Sequence, residues 1–238
     1  MASIKLKLMK KLTLKVWKIN PATLMLIAGV LCSSWPLGYW LNPKADRGLA
    51  SNLEALHQPF NWLFIMMDIT CGILVGLACW NLLKLVVASS PAKNNLGLPI
   101  AILGAGCFGL FTAIDAILPL DCVEGSPHCL STLNDSYFVV HGIFSIGSIL
   151  GLTVSIATIW LLILSSEKAL LSLAHITPAM FLLVWVGFGA LTLYLVVHNK
   201  SSAIAQHFFI GFCSLWLIAL PYFVGLVSRL QARAETLP

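Results

Sequence analysis

Six apolar stretches, each long enough to cross a bilayer, decide what this chain can fold into. They fall at roughly 21–41, 60–88, 97–119, 137–165, 175–197 and 207–228, and about 20 helical residues suffice to span the hydrocarbon core. None alternates apolar and polar residues with period 2, so helices rather than barrel strands must satisfy the backbone. Hydrophobic residues make up 59% of the 238-residue chain, charged residues only 10%, and mean hydropathy is +0.92. A water-soluble globule is excluded. The loops are short, and none has room for a separate soluble domain. The sequence predicts an all-α bundle of six transmembrane helices over 21–228, preceded by a basic arm at 1–20 and followed by a tail at 229–238.

Orientation follows from Lys and Arg, which concentrate in cytoplasmic loops. Lys5, Lys7, Lys10, Lys11, Lys15 and Lys18 precede the first stretch. Lys84 and Lys93 flank the turn after the second, Lys168 follows the fourth, and Arg229 and Arg233 follow the sixth. Eleven of the fourteen basic residues thus share one side, with Lys44, Arg47 and Lys200 on the other. This predicts a multi-pass protein of the plasma (inner) membrane with both termini cytoplasmic. The third loop, with Asp121, Glu124 and Asp135 and no Lys or Arg, is then external. The net charge of +5 comes mostly from the N-terminal arm and is no argument for a nucleic-acid partner; membrane lipids are the partners it implies. Lys7, Lys11, Lys15 and Lys18 recur at helical spacing beside Leu8, Leu12 and Val16, as in a helix lying on an anionic leaflet or a simple topogenic arm. The apolar run from 22 continues to Trp40 without a small-x-small site, which speaks against a cleaved signal peptide.

Cys32, Cys71, Cys79, Cys107 and Cys213 sit in apolar stretches, where a thiol behaves as a small hydrophobe. Cys122 and Cys129 alone occupy a polar loop, on the side where disulfides persist, and are expected to pair. Trp35, Tyr39, Trp40, Trp62 and Tyr137 lie near external boundaries, as an aromatic belt would. Pro36 and Pro221 fall within spans and predict kinks.

The candidate site lies at the external edge. An ionisable side chain at a helix centre costs about 2.5 kcal/mol or more, so each one within a span calls for a function or a partner. Asp115 falls in the external half of the third span and Asp121 at its boundary, separated by Pro119. His141, Ser145 and Ser148 recur at i, i+4 and i+7, giving the fourth span a polar face. His207 opens the sixth span, and Asp68 lies near mid-depth in the second. His57 precedes Asp68 by eleven positions, about three turns, and would share its face if that helix began early. Asp68 must face the bundle, either protonated or partnered, with a nearby Ser or Thr as the bland partner. Asp115, Asp121 and His141 are the catalytic candidates; His57, Asp68, Ser145 and His207 are candidates for contacting substrate. Asp121, His141 and His207 form a donor set that would accept Zn²⁺ with an open position for water. Alternatively, His141 is a general base oriented by a carboxylate. Haem ligation by two histidines is disfavoured, because both sit at the membrane edge.

Leu118-Pro119-Leu120-Asp121-Cys122, followed about twenty residues later by His141-Gly142 opening a span, resembles the six-span bacterial and archaeal proteins grouped as domain-of-unknown-function 998. Members show a Phe-Pro-x-Asp-like end to the third span and a His-Gly start to the fourth. Ser33-Ser34-x-x-Leu37-Gly38 is similar to the family's Ser-x-x-Gly-like segment. The resemblance implies the six-helix architecture and marks Asp121 and His141 as a pair, without implying an activity. More distantly, the His57 to Asp68 interval is similar to part of the zinc site of the alkaline ceramidase and adiponectin-receptor superfamily of seven-span hydrolases. Their His-x3-His pair is missing here, and Leu53 stands where they place a Ser.

Three function classes remain open. One is a hydrolase-like membrane enzyme acting on a lipid or lipid-linked substrate at the external leaflet, which the depth of the site favours. A second is a transporter, flippase or proton-coupled carrier using Asp68; the absence of internal repeats counts against it. The third is a non-catalytic membrane partner, such as an immunity or sensor protein, in which the polar cluster holds helices together.

Overall fold

A computed structural model describes residues 19–41, 50–56, 58–89, 96–118, 120, 136–165, 173–197 and 203–235. The first span is broken: α1 (Pro21–Cys32) ends at Ser33, and α2 (Trp35–Leu41) resumes after a turn. A 3₁₀ turn follows at Ala50–Leu53, then α3 (Asn61–Ser89), α4 (Gly97–Ile117), α5 (Ser136–Leu164), α6 (Leu173–Val197) and α7 (Ala203–Glu235). No strand occurs among the described residues. Five segments are long and apolar enough to cross a membrane, one of them formed by α1 with the start of α2, and α6 adds the apolar stretch Ile176–Leu191. The chain is a polytopic helical membrane bundle.

The termini of these helices follow local chemistry. Asn20 caps α1 by accepting the Ala22 N–H at 2.9 Å, with Pro21 at the first helical position. The interruption expected at Pro36 falls just before it. The Ser33 backbone N–H closes α1 on the Gly29 carbonyl, and the freed Ser33 hydroxyl donates to Ser214 Oγ of α7 at 2.7 Å. Pro221 lies inside α7, which runs unbroken to Glu235, so most of the segment read as a tail belongs to the helix.

The helices close into a ring in which α1 packs on α3 and α7, and α3, α4, α5, α6 and α7 follow in sequence order. Lipid tails are as apolar as side chains, so close backbone approach and interhelical hydrogen bonds hold such a bundle. Trp216 of α7 is fully buried and donates from Nε1 to Ser155 Oγ of α5 at 3.1 Å. Trp185 of α6 donates likewise to Thr153 Oγ1 at 2.8 Å. The periphery is apolar: Trp80, Leu103, Ile143, Leu183 and Leu215 are all exposed, as expected where the solvent is hydrocarbon.

The two ends of the bundle differ. At one, the Asn81 side chain of α3 donates to the Ile19 carbonyl, and a groove joins the start of α1, the end of α3 and the stretch of α7 from Ile218 to Ser228. At the other, the end of α1, the start of α3, the end of α4 and the starts of α5 and α7 surround a cavity.

Candidate functional site

The cavity has a volume of about 180 Å³ and is lined from all six spans. Its first wall is built by α4 and α5. Asp115 lies two residues before the end of α4, and the 3.6-residue period of α5 turns His141, Ser145 and Ser148 to the same side. His141 Nδ1 lies 3.0 Å from Asp115 Oδ1 and 3.3 Å from the Leu118 carbonyl oxygen. The Leu118 carbonyl meets hydrogen-bond geometry and can only accept, which puts the ring proton on Nδ1, while Asp115 Oδ1 stands beside it at ion-pair distance. Ser145 donates to Asp115 Oδ2 at 2.7 Å, which occupies the carboxylate's second oxygen. Ser148 donates to the Ser145 carbonyl at 2.8 Å. The arrangement is an imidazole oriented by a carboxylate that is itself held by a hydroxyl.

The opposite wall contains a residue that the site reading left out. The 3₁₀ turn at Ala50–Leu53 folds inward, burying Asn52 and Glu54 at 3% and 7% exposure. The loop is pinned where the Leu56 N–H donates to the Leu120 carbonyl at 2.8 Å. Glu54 thereby joins Asp68 of α3 in the cavity wall, where each carboxyl group stands within reach of the other's charge. Burial first, then the negative charge and hydrogen bonding of Asp68 and the charge of Asp115, hold Glu54 well above the ordinary carboxylate range. Asp68 thus has the carboxyl group of Glu54 as its neighbour in the cavity wall. Glu54 is visible in the sequence only as one polar residue of an external loop.

The remaining candidates are placed less centrally, or lie beyond view. His207 is buried at the start of α7 and stacks on Trp35, ring centroids 4.1 Å apart and planes 12° apart. Trp35 itself lines the cavity and so departs from the aromatic belt, to which the exposed Trp40 and Trp62 conform. Asp121, His57, Cys122 and Cys129 lie outside the described residues. The helical continuity that would put His57 on the face of Asp68 is absent, because α3 starts at Asn61, after Phe60 in a left-handed conformation (φ 63°). The five described cysteines are free thiols. Among the described residues no three His, Cys, Asp or Glu side chains are grouped to hold a metal ion; Asp121 of the candidate zinc set is not among them.

Comparison with known proteins gives one match. A family model described as "Protein of unknown function (DUF998)" matches residues 25–221, most of the chain. No curated protein and no solved structure matches, so the similarity to the ceramidase and adiponectin-receptor hydrolases has nothing further behind it.

Proposed function

The chain belongs to the DUF998 family, whose function is unassigned, and from its site we propose a membrane enzyme that hydrolyses a lipid or lipid-linked substrate from the external face. The single observation that carries this reading is the Asp115–His141 pair at 3.0 Å on the wall of a cavity in the bundle. In the proposed step His141 Nε2 takes a proton from water as the water oxygen bonds to an acyl carbon. Asp115 steadies the imidazolium that forms. The bond from that carbon to the leaving heteroatom breaks, and a proton held by Glu54 passes to the leaving group; His141 later returns its proton to Glu54. Asp121, next after Leu120, and His57, in the pinned loop, are proposed contacts at the mouth of the site, with Cys122–Cys129 a disulfide of the same external face. The concentration of basic residues at the opposite end supports this orientation.

Turnover of a panel of fluorescent lipid esters and amides tests the reading. His141→Ala should reduce turnover by about 10²- to 10⁴-fold, the usual contribution of a positioned base, while the protein elutes and melts as wild type. Undiminished turnover in that variant, or a panel on which folded wild type is inert throughout, would remove the enzyme reading.

A second reading, a proton-coupled carrier, is favoured by the Glu54–Asp68 carboxyl pair alone. In sealed proteoliposomes a carrier discharges a pH gradient when substrate is added, and Asp68→Asn abolishes that discharge. An enzyme leaves the gradient in place.

A further inference from the structure

We propose that the cavity selects a substrate bearing a small ammonium group. The inference rests on the reading of this cavity as the substrate site. Glu54, Asp68 and Asp115 reach it from three different elements, and no Lys or Arg is among the described residues that line it. His141, the one basic side chain among the described lining residues, stands 3.0 Å from Asp115. Among the described lining residues three carboxyl groups thus stand against one imidazole, so acidic groups outnumber basic ones there. Among the described lining residues a phosphate or carboxylate ligand would meet carboxyl groups and no guanidinium or ammonium partner.

The other lining residues select the same class independently. Trp35, Phe64, Phe108, Trp185 and Phe209, from α2, α3, α4, α6 and α7, all line the cavity. Aromatic side chains attract cations through the negative faces of their rings, and most strongly when water is excluded. A hydrated inorganic cation gains little from such walls, whereas an alkylated ammonium gains from both the rings and the carboxylates. Size agrees: an apolar cavity of about 150 Å³ takes a benzene-sized guest, so this one, at about 180 Å³, accommodates a headgroup fragment. An uncompensated negative charge within a bundle is costly, and a bound cation relieves it.

The ammonium group belongs either to a lipid headgroup or to a free amine, and a titration of the full chain in maltoside micelles separates these. Choline should bind, its neutral carbon isostere 3,3-dimethylbutanol should bind at least about tenfold more weakly, a difference of about 1.4 kcal/mol, and inorganic phosphate should not bind. Glu54→Gln and Asp68→Asn should each weaken choline binding by about tenfold or more. Dodecyltrimethylammonium binding far more tightly than tetramethylammonium assigns a lipid source, and equal affinities assign a free amine. His141→Ala should still bind choline while losing turnover, so failure of the catalytic reading leaves this inference standing. Equal affinity of wild type for choline and its isostere overturns it. So does absence of choline binding to folded wild type, or unchanged choline affinity in both carboxylate variants.

Discussion

Asp115 organises more of the site than any other side chain, since one oxygen faces the His141 ring and the other accepts from Ser145. Removing a charged partner from a half-buried site is more damaging than removing a neutral hydrogen bond. Asp115→Asn should therefore reduce turnover nearly as far as His141→Ala, whereas Ser145→Ala, which leaves the carboxylate in place, should cost about tenfold or less, equivalent to one hydrogen bond. Equal losses in the two variants would show that Ser145 does more than steady Asp115. Glu54 makes a prediction of a different kind. Its carboxyl is raised in the folded protein, so the folded state holds this proton over a range in which the unfolded chain, near the ordinary value of 4.5, has lost it. Stability should be complete below about pH 4.5, fall as pH rises, and level off above the raised value. Thermal melts between acid and alkaline pH should show this slope in wild type and a flatter one in Glu54→Gln. The contrast between these residues marks what was legible in the sequence. His141, Ser145 and Ser148 share a helix face by their spacing alone, and the depth of Asp115 followed from its place in a span. Glu54 was hidden because its burial depends on a loop folding back and bonding to Leu120, sixty-odd positions away from it in the chain.

Helices were the more legible layer, since membrane-length apolar runs admit little else, and the observed helices start and stop close to the expected bounds. The break after Cys32 was marked by Ser33-Ser34 and Pro36, yet its use is tertiary: it frees a hydroxyl for Ser214 and turns Trp35 into the cavity. Helix pairing was not legible at all, because it rests on which glycines face each other. A Cβ added at Gly104 of α4 would come within 2.6 Å of the Gly151 carbonyl of α5, and one at Gly151 within 2.7 Å of the Gly104 carbonyl. Gly72 of α3 and Gly109 of α4 are as close, with a Cβ on Gly72 falling 2.3 Å from the Gly109 carbonyl. Thus α4 is clasped on two sides by glycine contacts, and its grip on α5 fixes Asp115 against His141. Gly104→Val should destabilise the bundle by about 1–3 kcal/mol, as overpacking does, and lower turnover in the molecules that remain folded. Gly76→Ala, where an added Cβ meets nothing within 4 Å, should be neutral or slightly stabilising. A melt in which both variants behave alike would show that these close contacts do not hold the helices.

At the scale of the whole molecule, the ring places the start of α1 and the end of α7 at the end of the bundle opposite the cavity. Which end faces the cytoplasm is an electrostatic question, and the basic residues of the loops and flanks argue it. In the sequence six lysines precede the first span, and Lys93, Lys168, Arg229 and Arg233 belong to the loops and flank expected on that same side, against Lys44, Arg47 and Lys200 in the loops expected on the other. Such an imbalance holds the basic end on the side of synthesis. A substrate would then enter from the external leaflet. A cysteine placed at Ser131, in a variant lacking Cys122 and Cys129, should be modified in intact cells by a membrane-impermeant maleimide. A cysteine at Ser3 in the same background should react only after lysis. The reverse pattern would put the cavity on the cytoplasmic side: its geometry would survive, but the source of its substrate would change. Protection of both positions until lysis would instead locate the third loop away from the surface, and access to the cavity would have to come laterally from the lipid.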